Sequence, residues 1–272
     1  MNAKFGENNI LLSGVQCLDL DLTLDCGQAF CWDKEEDGSW SGIAGGKYLN
    51  IKNTPEGFLL TGATKDDYEN FWKQYFDLDR DYVSICDRLK SDSLLSKTVD
   101  DYYGIRILRQ DSWEALCTFV ISQNNNIKRI KKITQALSKE YGEKIGDYGW
   151  AFPSAEKLAE LSESDFASLG AGYRASYLEQ LSKGVAEGRI DLEAIKGMSL
   201  EEAREELMKI KGVGRKVADC ALLFGFGFLE AFPIDVWMKR VMEYYPDGLP
   251  ECFSGYQGIA QQYLFHWARH NL

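Results

Sequence analysis

The sequence contains few of the residues that build disulfide frameworks or metal sites. Its seven cysteines show no C-x-x-C spacing, and an odd number without a pattern argues against disulfides and against zinc or iron–sulfur ligation. It has only two histidines, His266 and His270, and no carboxylate motif accompanies them. These shortages predict reduced cysteines, most of them in the core, and no metal.

Long apolar runs are also missing. The most apolar stretch, residues 221–232, contains two glycines and Glu230 and is too short to cross a bilayer. The N-terminus shows no charged segment followed by a long apolar run, so a signal peptide is not expected. We therefore expect an intracellular protein, and 45% hydrophobic residues in 272 are enough for a sizeable core.

Positive charge is scarce, because 31 Lys and Arg stand against 42 Asp and Glu, which gives a net charge of −11. Taken alone, a pI near 4.8 argues against nucleic-acid binding, which depends on neutralising phosphates. The charge is uneven, however, since residues 106–139 hold seven Lys or Arg against only Asp111 and Glu114. A local basic face on an acidic protein therefore stays open.

The hydrophobic pattern of the first part of the chain is typical of strands. Leu18–Leu24 alternates leucine with Asp or Thr, which predicts a half-buried antiparallel strand. The Asp-Gly pair at 37–38 predicts a hairpin turn among further short strands. At Thr64 the period changes, since Thr64 and Asp67 form a capping-box pattern ahead of a helical apolar face over residues 68–76.

From about residue 93 onward the apolar residues recur at helical spacing. Two helices are expected between residues 113 and 137, and others over 154–161, 173–187, 199–210, 214–225, 235–245 and 253–270. The pattern predicts an α+β protein. An antiparallel sheet domain would occupy residues 1–95 and a helical domain residues 96–272, with a helix-hairpin-helix over 199–225.

The hairpin itself is a turn formed by Gly212, Val213 and Gly214. Ser199 and Glu202 form a capping box that begins the first helix. A Gly-x-Gly turn that leads into a helix exposes backbone N–H groups at the positive helix end, which suits a phosphate. Close packing of the two helices would explain the glycines as well.

Lys216 lies in the first turn of the second helix. The partial positive charge of the helix N-terminus, together with burial, would favour the neutral amine that a nucleophile needs. Cys220, four residues later, lies on the same helix face. A solvated surface lysine is the alternative reading, and Lys216 by itself does not decide between them.

Asp235 precedes an apolar helix that begins at Val236. It is therefore a candidate N-cap, which is a purely structural role. A capping carboxylate that faces the helix bearing Lys216 would also be a fixed anion next to a nucleophile, and the two roles are compatible.

Several segments of the chain resemble one family. Residues 212–220 (GVGRKVADC) and 232–236 (FPIDV) are similar to the hairpin and the closing aspartate of the helix-hairpin-helix DNA glycosylases, especially the 8-oxoguanine DNA glycosylase branch. Four further segments match that branch in order: 27–32 (GQAFCW), 104–126 (GIRILRQDSWEALCTFVISQNNN), 170–177 (GAGYRASY) and 258–265 (GIAQQYLF). Matches in register over most of the chain are far more specific than the hairpin alone.

The resemblance implies a bifunctional DNA glycosylase and AP lyase that removes 8-oxoguanine from duplex DNA, as a monomer and without a cofactor. Lys216 would attack C1′ of the damaged nucleotide and form a Schiff base that permits β-elimination. Asp235 would position or activate the lysine and stabilise the cationic sugar. The Gly27 carbonyl would read the N7–H that the oxidised base donates and that guanine lacks. A strand bulge is the alternative reading of Gly27.

The resemblance also implies base-binding and DNA-binding residues. Gln261 and Phe265, four apart on the last helix, would hydrogen-bond to and stack on the extruded base, with Cys220 on its other side. The residues that would fill the vacated stack and contact the partner base are Asn124, Arg129, Tyr173 and Arg174. Without the resemblance, Phe265 would be core and residues 124–126 a polar helix end. The chain departs from the best-known members of the family at Cys31 and Trp237, where Arg and His are common.

Two other functions compete with this reading. An alkylpurine DNA glycosylase of the same superfamily works from the aspartate alone, so Lys216 argues against it. A non-catalytic hairpin module that binds DNA needs the glycine turn but neither Lys216 nor Asp235, and it leaves the Gln261–Phe265 pair unexplained.

Overall fold

An antiparallel sheet forms the first part of the chain. The computed structural model describes all 272 residues and contains a six-stranded sheet of order β1-β2-β6-β5-β4-β3. The strands are β1 (Asn2–Phe5), β2 (Asn9–Ser13), β3 (Trp32–Lys34), β4 (Trp40–Ala44), β5 (Lys47–Thr54) and β6 (Gly57–Thr61). The predicted hairpin at 37–38 joins β3 to β4, and Gly38 has the positive φ of +80° that such a turn requires.

The strand predicted for Leu18–Leu24 is wrong, because this segment forms a short helix, α1 (Leu20–Leu24). The Asp19 side chain caps it by accepting from the Leu22 N–H at 2.8 Å. Thr23, counted as an outward polar residue, is fully buried, and its hydroxyl donates to the Gly104 carbonyl at 3.0 Å. A leucine alternation that also places Leu20 and Leu24 four residues apart fits both periods. The Asp19 cap and the contact of Thr23 with the distant Gly104 together favour the helix.

The remainder of the chain is mainly helical, as predicted. After α1 the helices are α2 (Lys65–Asp67), α3 (Lys73–Tyr75), α4 (Tyr82–Leu89), α5 (Ser93–Asp101), α6 (Ser112–Ser122), α7 (Ile127–Tyr141), α8 (Ala155–Ala159), α9 (Glu163–Ser168), α10 (Ala175–Ala186), α11 (Leu192–Lys196), α12 (Leu200–Met208), α13 (Arg215–Gly225), α14 (Val236–Val241) and α15 (Gln257–Asn271). The sequence did not predict α4, α5, α9 or α11 as individual helices, nor a small hairpin of β7 (Lys144–Ile145) and β8 (Gly149–Trp150). No helix combines the length and the apolar character needed to cross a membrane.

The predicted capping box at Thr64 and Asp67 is confirmed and begins α2. A π-helical turn over Tyr68–Trp72 joins α2 to α3, so the apolar face continues through a wider turn. Trp72 and Tyr75 from this segment are buried beneath the sheet in a cluster of 19 residues. The larger cluster, of 49 residues, fills the helical part of the chain.

Helices α6 and α13 form the centre of the larger cluster. Phe119 on α6 and Phe224 on α13 stack with ring centroids 5.4 Å apart. Gly225 brings the backbones close, because a Cβ at this residue would lie 2.7 Å from the Cβ of Ala115. The position of α13, and hence of Lys216, is therefore set by tight packing.

Two buried polar side chains join the sheet to the helical part. Gln28 donates to the carbonyl of Arg106 at 2.7 Å and accepts from the Leu108 N–H at 2.8 Å. The Arg106 guanidinium in turn donates to the carbonyls of Cys17 and Asp77 at 2.8 and 2.6 Å. Arg106 is buried, so it does not contribute to a basic surface as its place in the basic stretch 106–139 suggested.

The fold also predicts a pH dependence that arises at His266. Burial lowers the pKa of His266 from 6.5 to about 4. The unfolded chain therefore binds more protons than the native protein between those values, and stability should fall as the pH drops through that range. Because the ring is only half buried, we expect about 1–2 kcal/mol from this group.

A pair of variants checks this value. His266→Phe, which can still pack against the Tyr102 ring at 4.5 Å, should lose less stability between pH 6.5 and 4 than the wild type does in urea denaturation. His270→Gln, at an exposed position, should retain most of the dependence. An unchanged dependence in His266→Phe would contradict the assignment.

Candidate active site

The predicted helix-hairpin-helix is present as α12, a turn and α13. The predicted capping box of Ser199 and Glu202 is confirmed at the start of α12. The two helices are held by a buried ion pair between Arg204 and Asp219 at 2.6 Å. Burial raises the pKa of Asp219, and the Arg204 guanidinium opposes that rise. This buried ion pair therefore holds the two helices of the hairpin together.

The two glycines of the turn have different reasons to be glycine. Gly212 has φ +87°, and a Cβ there would overlap the ring of Tyr177. Gly214 is the N-cap of α13, with φ −88° and no side-chain cap, and a Cβ there would meet no atom within 4 Å. The first N–H groups of α13 are therefore open to a bound anion next to an uncrowded backbone.

This difference gives a matched pair of variants. Gly212→Ala should lower the free energy of unfolding by about 2 kcal/mol, since it adds backbone strain and a clash. Gly214→Ala should change it by less than about 1 kcal/mol, as a Gly-to-Ala change at an N-cap without strain. Urea denaturation of both proteins provides the measurement, and equal losses would contradict the geometry.

Lys216 lies in the first turn of α13, half buried. Its Nζ lies 5.6 Å from the centroid of the Phe119 ring, in cation–π range. Cys220 is buried one turn further along the helix. Burial raises the pKa of the Cys220 thiol, the Lys216 amine opposes that rise, and the Asp235 carboxylate adds to it. Cys220 therefore lies close enough to Lys216 and Asp235 for both charges to affect the pKa of its thiol.

Asp235 is the N-cap of α14, as predicted. One of its carboxylate oxygens, Oδ1, accepts from the backbone N–H groups of Trp237 and Met238 at 3.0 and 2.9 Å. Both capping bonds use the same oxygen, so the second carboxylate oxygen keeps its lone pairs for another partner. The capping role and a second role are compatible in this geometry.

A small pocket collects the predicted catalytic and base-binding residues from four parts of the chain. Those residues are Gly27, Lys216, Cys220, Asp235, Gln261 and Phe265. Four further residues line it that the sequence did not single out as site residues: Phe119, Phe224, Pro233 and Gln262. From the sequence, the two phenylalanines are indistinguishable from core residues of α6 and α13. Gln262, in contrast, lies in the matched segment 258–265, and a polar residue on a buried helix could have indicated a site residue.

Gly27 lies in a bend between α1 and β3, with φ +82°, and not in a strand bulge. A Cβ at Gly27 would meet only Ile127, at 3.6 Å, so its conformation and not crowding requires glycine. The neighbouring Gln28, buried and hydrogen-bonded as described above, fixes this bend against residues 106–108. The backbone of Gly27 is therefore held rigidly at the pocket wall.

Gln261 and Gln262 form a short chain of hydrogen bonds on α15. The Gln261 Nε2 donates to the carbonyl of Pro233 at 3.2 Å. The Gln262 Nε2 donates to the Gln261 Oε1 at 2.8 Å. Phe265 is half buried on the same helix, beneath the Arg269 guanidinium at 5.6 Å. The pocket thus has a ring and two oriented amides on one side.

An open groove leads away from the pocket, and its charge is positive. Four basic side chains and one acidic side chain line it, a formal net charge of +3: Arg129, Lys216, Lys239, Arg269 and Asp235. These cations come from four separate helices and not from the 106–139 stretch as a whole, in which Lys131, for example, pairs with Asp33 at 3.1 Å. An acidic protein therefore presents a local basic surface at this groove.

The predicted DNA-contacting residues gather at the rim of this groove. Asn124 is exposed with a left-handed φ of +47°, directly after α6, and it lines the groove with Arg129. Tyr173 donates from its hydroxyl to the Gln123 carbonyl at 3.2 Å. Arg174 is buried and donates to the carbonyls of Gln123 and Asn124, at 2.8 and 3.0 Å. Arg174 therefore holds the turn that presents Asn124.

The two departures from the family pattern lie in different places. Trp237 lines the basic groove, with the Arg240 guanidinium 5.1 Å from its ring centroid. Cys31 does not line the groove, and its Sγ lies 3.9 Å from the Tyr75 hydroxyl. The presence of cysteine where other members carry arginine therefore removes no charge from the groove lining.

Comparisons with known proteins agree with this architecture. Residues 10–116 match the family described as 8-oxoguanine DNA glycosylase, N-terminal domain, and residues 117–246 match the HhH-GPD superfamily of base excision DNA repair proteins. An N-glycosylase/DNA lyase of Saccharomyces cerevisiae is 33% identical over 89% of this chain and 71% of its own length. A probable N-glycosylase/DNA lyase of Methanothermobacter thermautotrophicus is 35% identical, and the match spans 58% of this chain and 57% of that protein.

A solved structure is also close. The 8-oxoguanine glycosylase/lyase of Clostridium acetobutylicum, in complex with duplex DNA that carries cytosine opposite 8-oxoguanine, superimposes with a TM-score of 0.94. It is 38% identical and covers 100% of this chain and 98% of that chain. The chain belongs to the HhH-GPD superfamily of base excision DNA repair proteins and, within it, to the 8-oxoguanine DNA glycosylase family.

Proposed function

We propose that this protein excises 8-oxoguanine from duplex DNA and then cleaves the abasic site as an AP lyase. One observation carries the proposal: a single pocket is lined by Lys216, Asp235, Gln261 and Phe265. An amine, a carboxylate, a hydrogen-bonding amide and a stacking ring around one cavity fit a base that has been turned out of the helix.

The chemistry begins at Lys216. Its neutral amine attacks C1′, the C1′–N9 bond breaks, and the departing base takes the bonding electron pair and a proton released by the attacking nitrogen. The C1′–O4′ bond then breaks, O4′ takes a proton from water, and the opened sugar is held as a protonated Schiff base between Nζ and C1′. Loss of a C2′ proton then expels the 3′-phosphate by β-elimination. Asp235, whose second oxygen is not used in capping, stabilises the cationic sugar in the first step.

Recognition of the oxidised base depends on a single proton. Guanine presents N7 as an acceptor, whereas 8-oxoguanine carries N7–H and donates. A backbone carbonyl at Gly27 would accept from N7–H and would repel the unprotonated N7. The rigid bend around Gly27 supports this role, since a carbonyl that could turn away would not discriminate.

The surface around the pocket would hold the duplex. The open N-terminus of α13 at 212–214 would bind a phosphate. Asn124 and Tyr173 would occupy the space of the extruded base, because both project from the rim as exposed polar or aromatic side chains. Arg129 and Arg174 would contact the partner base, where two arginines suit the two acceptors O2 and N3 of cytosine.

Arg174 must exchange some of its present bonds to do so. Three of its guanidinium nitrogens already donate to backbone carbonyls of residues 123, 124 and 171. Arg129 has only one such bond, to the Gly170 carbonyl at 3.3 Å. Loss of Arg129 should therefore test base reading more cleanly than loss of Arg174, which would also loosen the Asn124 turn.

A panel of single-turnover reactions tests the proposed function. Duplexes that differ in one base pair would carry 8-oxoguanine, guanine or 3-methyladenine, the first two opposite cytosine and the third opposite thymine. We expect rapid excision of 8-oxoguanine only, followed by strand cleavage at the abasic site. Preferred excision of 3-methyladenine would favour the alkylpurine glycosylase, and binding without excision of any base would favour the non-catalytic module.

A further inference from the structure

Gln262 is a residue of the pocket that the proposed reaction leaves without a role. Gln261 and Gln262 are each only 4% exposed, and both line the pocket. The Gln262 amide oxygen Oε1 is buried and has no hydrogen-bond partner within the protein. Buried polar atoms are nearly always paired, so this oxygen requires an explanation.

The neighbouring bonds fix the orientation of each amide. The carbonyl of Pro233 can only accept, so Gln261 must turn its NH₂ group toward it. The Gln261 oxygen then faces Gln262, which must turn its own NH₂ group toward that oxygen. A flip of either amide would bring two donors or two acceptors together. The buried oxygen of Gln262 is therefore set by its surroundings as an acceptor.

We propose that Gln262 reads the 2-amino group of the extruded base, which makes it a specificity-determining residue for the excision of 8-oxoguanine proposed above, on which this inference rests. The Watson–Crick edge of 8-oxoguanine carries, in order, an acceptor (O6), a donor (N1–H) and a second donor (the 2-amino group). Gln261 has one N–H and one oxygen lone pair left after its present bonds. These can serve O6 and N1–H, and the Gln262 oxygen supplies the second acceptor that the edge requires.

The match also excludes other bases. An adenine edge offers one donor and one acceptor there, so it would leave the Gln262 oxygen unpaired on binding. The same holds for 8-oxohypoxanthine, which differs from 8-oxoguanine only by lacking the 2-amino group. Sites that hydrogen-bond a substrate group discriminate strongly against analogues without that group.

The test is a cycle of two proteins and two bases. Single-turnover excision of 8-oxoguanine and of 8-oxohypoxanthine, each opposite cytosine in the same duplex, is measured for the wild type and for Gln262→Met, which has a similar volume and lacks the acceptor. We expect the wild type to favour 8-oxoguanine by about ten- to hundredfold, and Gln262→Met to reduce that preference to within about threefold.

The control is Gln257→Met, on the same helix, where the amide oxygen is also buried and without a partner but does not line the pocket. This variant should keep the wild-type preference. A merely structural role for Gln262 would slow both bases equally, and an unchanged ratio in Gln262→Met overturns the proposal.

The two excision rates of the wild type also test the proposal without any variant. If Gln262→Met fails to fold, equal excision of the two bases by the wild type overturns the reading of the 2-amino group, while a strong preference for 8-oxoguanine supports it. A wild type that excises 8-oxoguanine but ignores the 2-amino group leaves the proposed function standing. A wild type that does not excise 8-oxoguanine overturns that function, and this inference with it.

Discussion

Lys216→Gln should abolish the covalent complex that borohydride traps between the protein and a duplex with 8-oxoguanine. Glutamine has no nucleophilic amine, so no Schiff base can form for the reductant to fix. We expect base excision to slow by at least about a thousandfold, as is usual when a nucleophile is removed. Binding of the lesion-containing duplex should change only a few-fold, because the other groups that line the pocket and the groove are intact.

The matched control is Lys211→Gln. Lys211 lies next to the same glycine turn but is exposed and does not line the pocket. This variant should trap and excise at close to the wild-type rate, with at most a small loss of affinity that grows at higher salt, since it removes one surface cation. Trapping that survives in Lys216→Gln would show that another amine is the nucleophile.

Asp235→Asn should separate the structural role of this residue from its electrostatic one. An asparagine oxygen can still accept from the Trp237 and Met238 N–H groups, so the N-cap of α14 is retained. The negative charge near the cationic sugar is lost, for which we expect a decrease of about a hundred- to a thousandfold in the excision rate. The melting temperature should fall by no more than a few degrees.

Asp111→Asn is the control for this substitution. Asp111 caps α6 by accepting from the Glu114 N–H at 2.9 Å and does not line the pocket. The two variants should therefore show similar stabilities, while only Asp235→Asn loses activity. A strongly destabilised but fully active Asp235→Asn protein would show that capping is the only function of the residue.

The helical part of the fold followed from the sequence because its signals agree with one another. The two predicted capping boxes are present, one formed by Thr64 with Asp67 and the other by Ser199 with Glu202. A capping box can be predicted from sequence because it needs only two residues three positions apart. The strand prediction for Leu18–Leu24 failed because its leucines satisfy both the strand period and the helix period. The choice between strand and helix also depended on contacts with Gly104 and Arg106, more than 80 positions away. Local patterns cannot weigh such distant contacts.

The candidate site shows the same division. The family motifs directed attention to Lys216, Asp235 and Gln261, and the structure brings them into one pocket. The sequence could not show that Arg174 supports a turn, or that Gln262 is left with an unpaired oxygen. Both facts depend on which carbonyls lie nearby, a property of packing and not of spacing.

The net charge illustrates what a whole-chain quantity omits. A net charge of −11 argues against DNA binding, yet the groove beside the pocket carries a formal charge of +3. Its cations lie on four helices, among them Lys239 on α14 and Arg269 on α15. Only the arrangement of those helices brings them together, so composition could not reveal the basic surface.

The central claim is that the amine of Lys216 bonds to C1′ of the damaged nucleotide. The most direct measurement is mass spectrometry of the borohydride-reduced complex after proteolysis and nuclease digestion, which locates the sugar adduct on a single residue. We predict an adduct on Lys216, and on no other lysine or the N-terminal amine. An adduct at a different amine, or an intact unmodified Lys216 in a fully trapped sample, would contradict the mechanism proposed for this pocket.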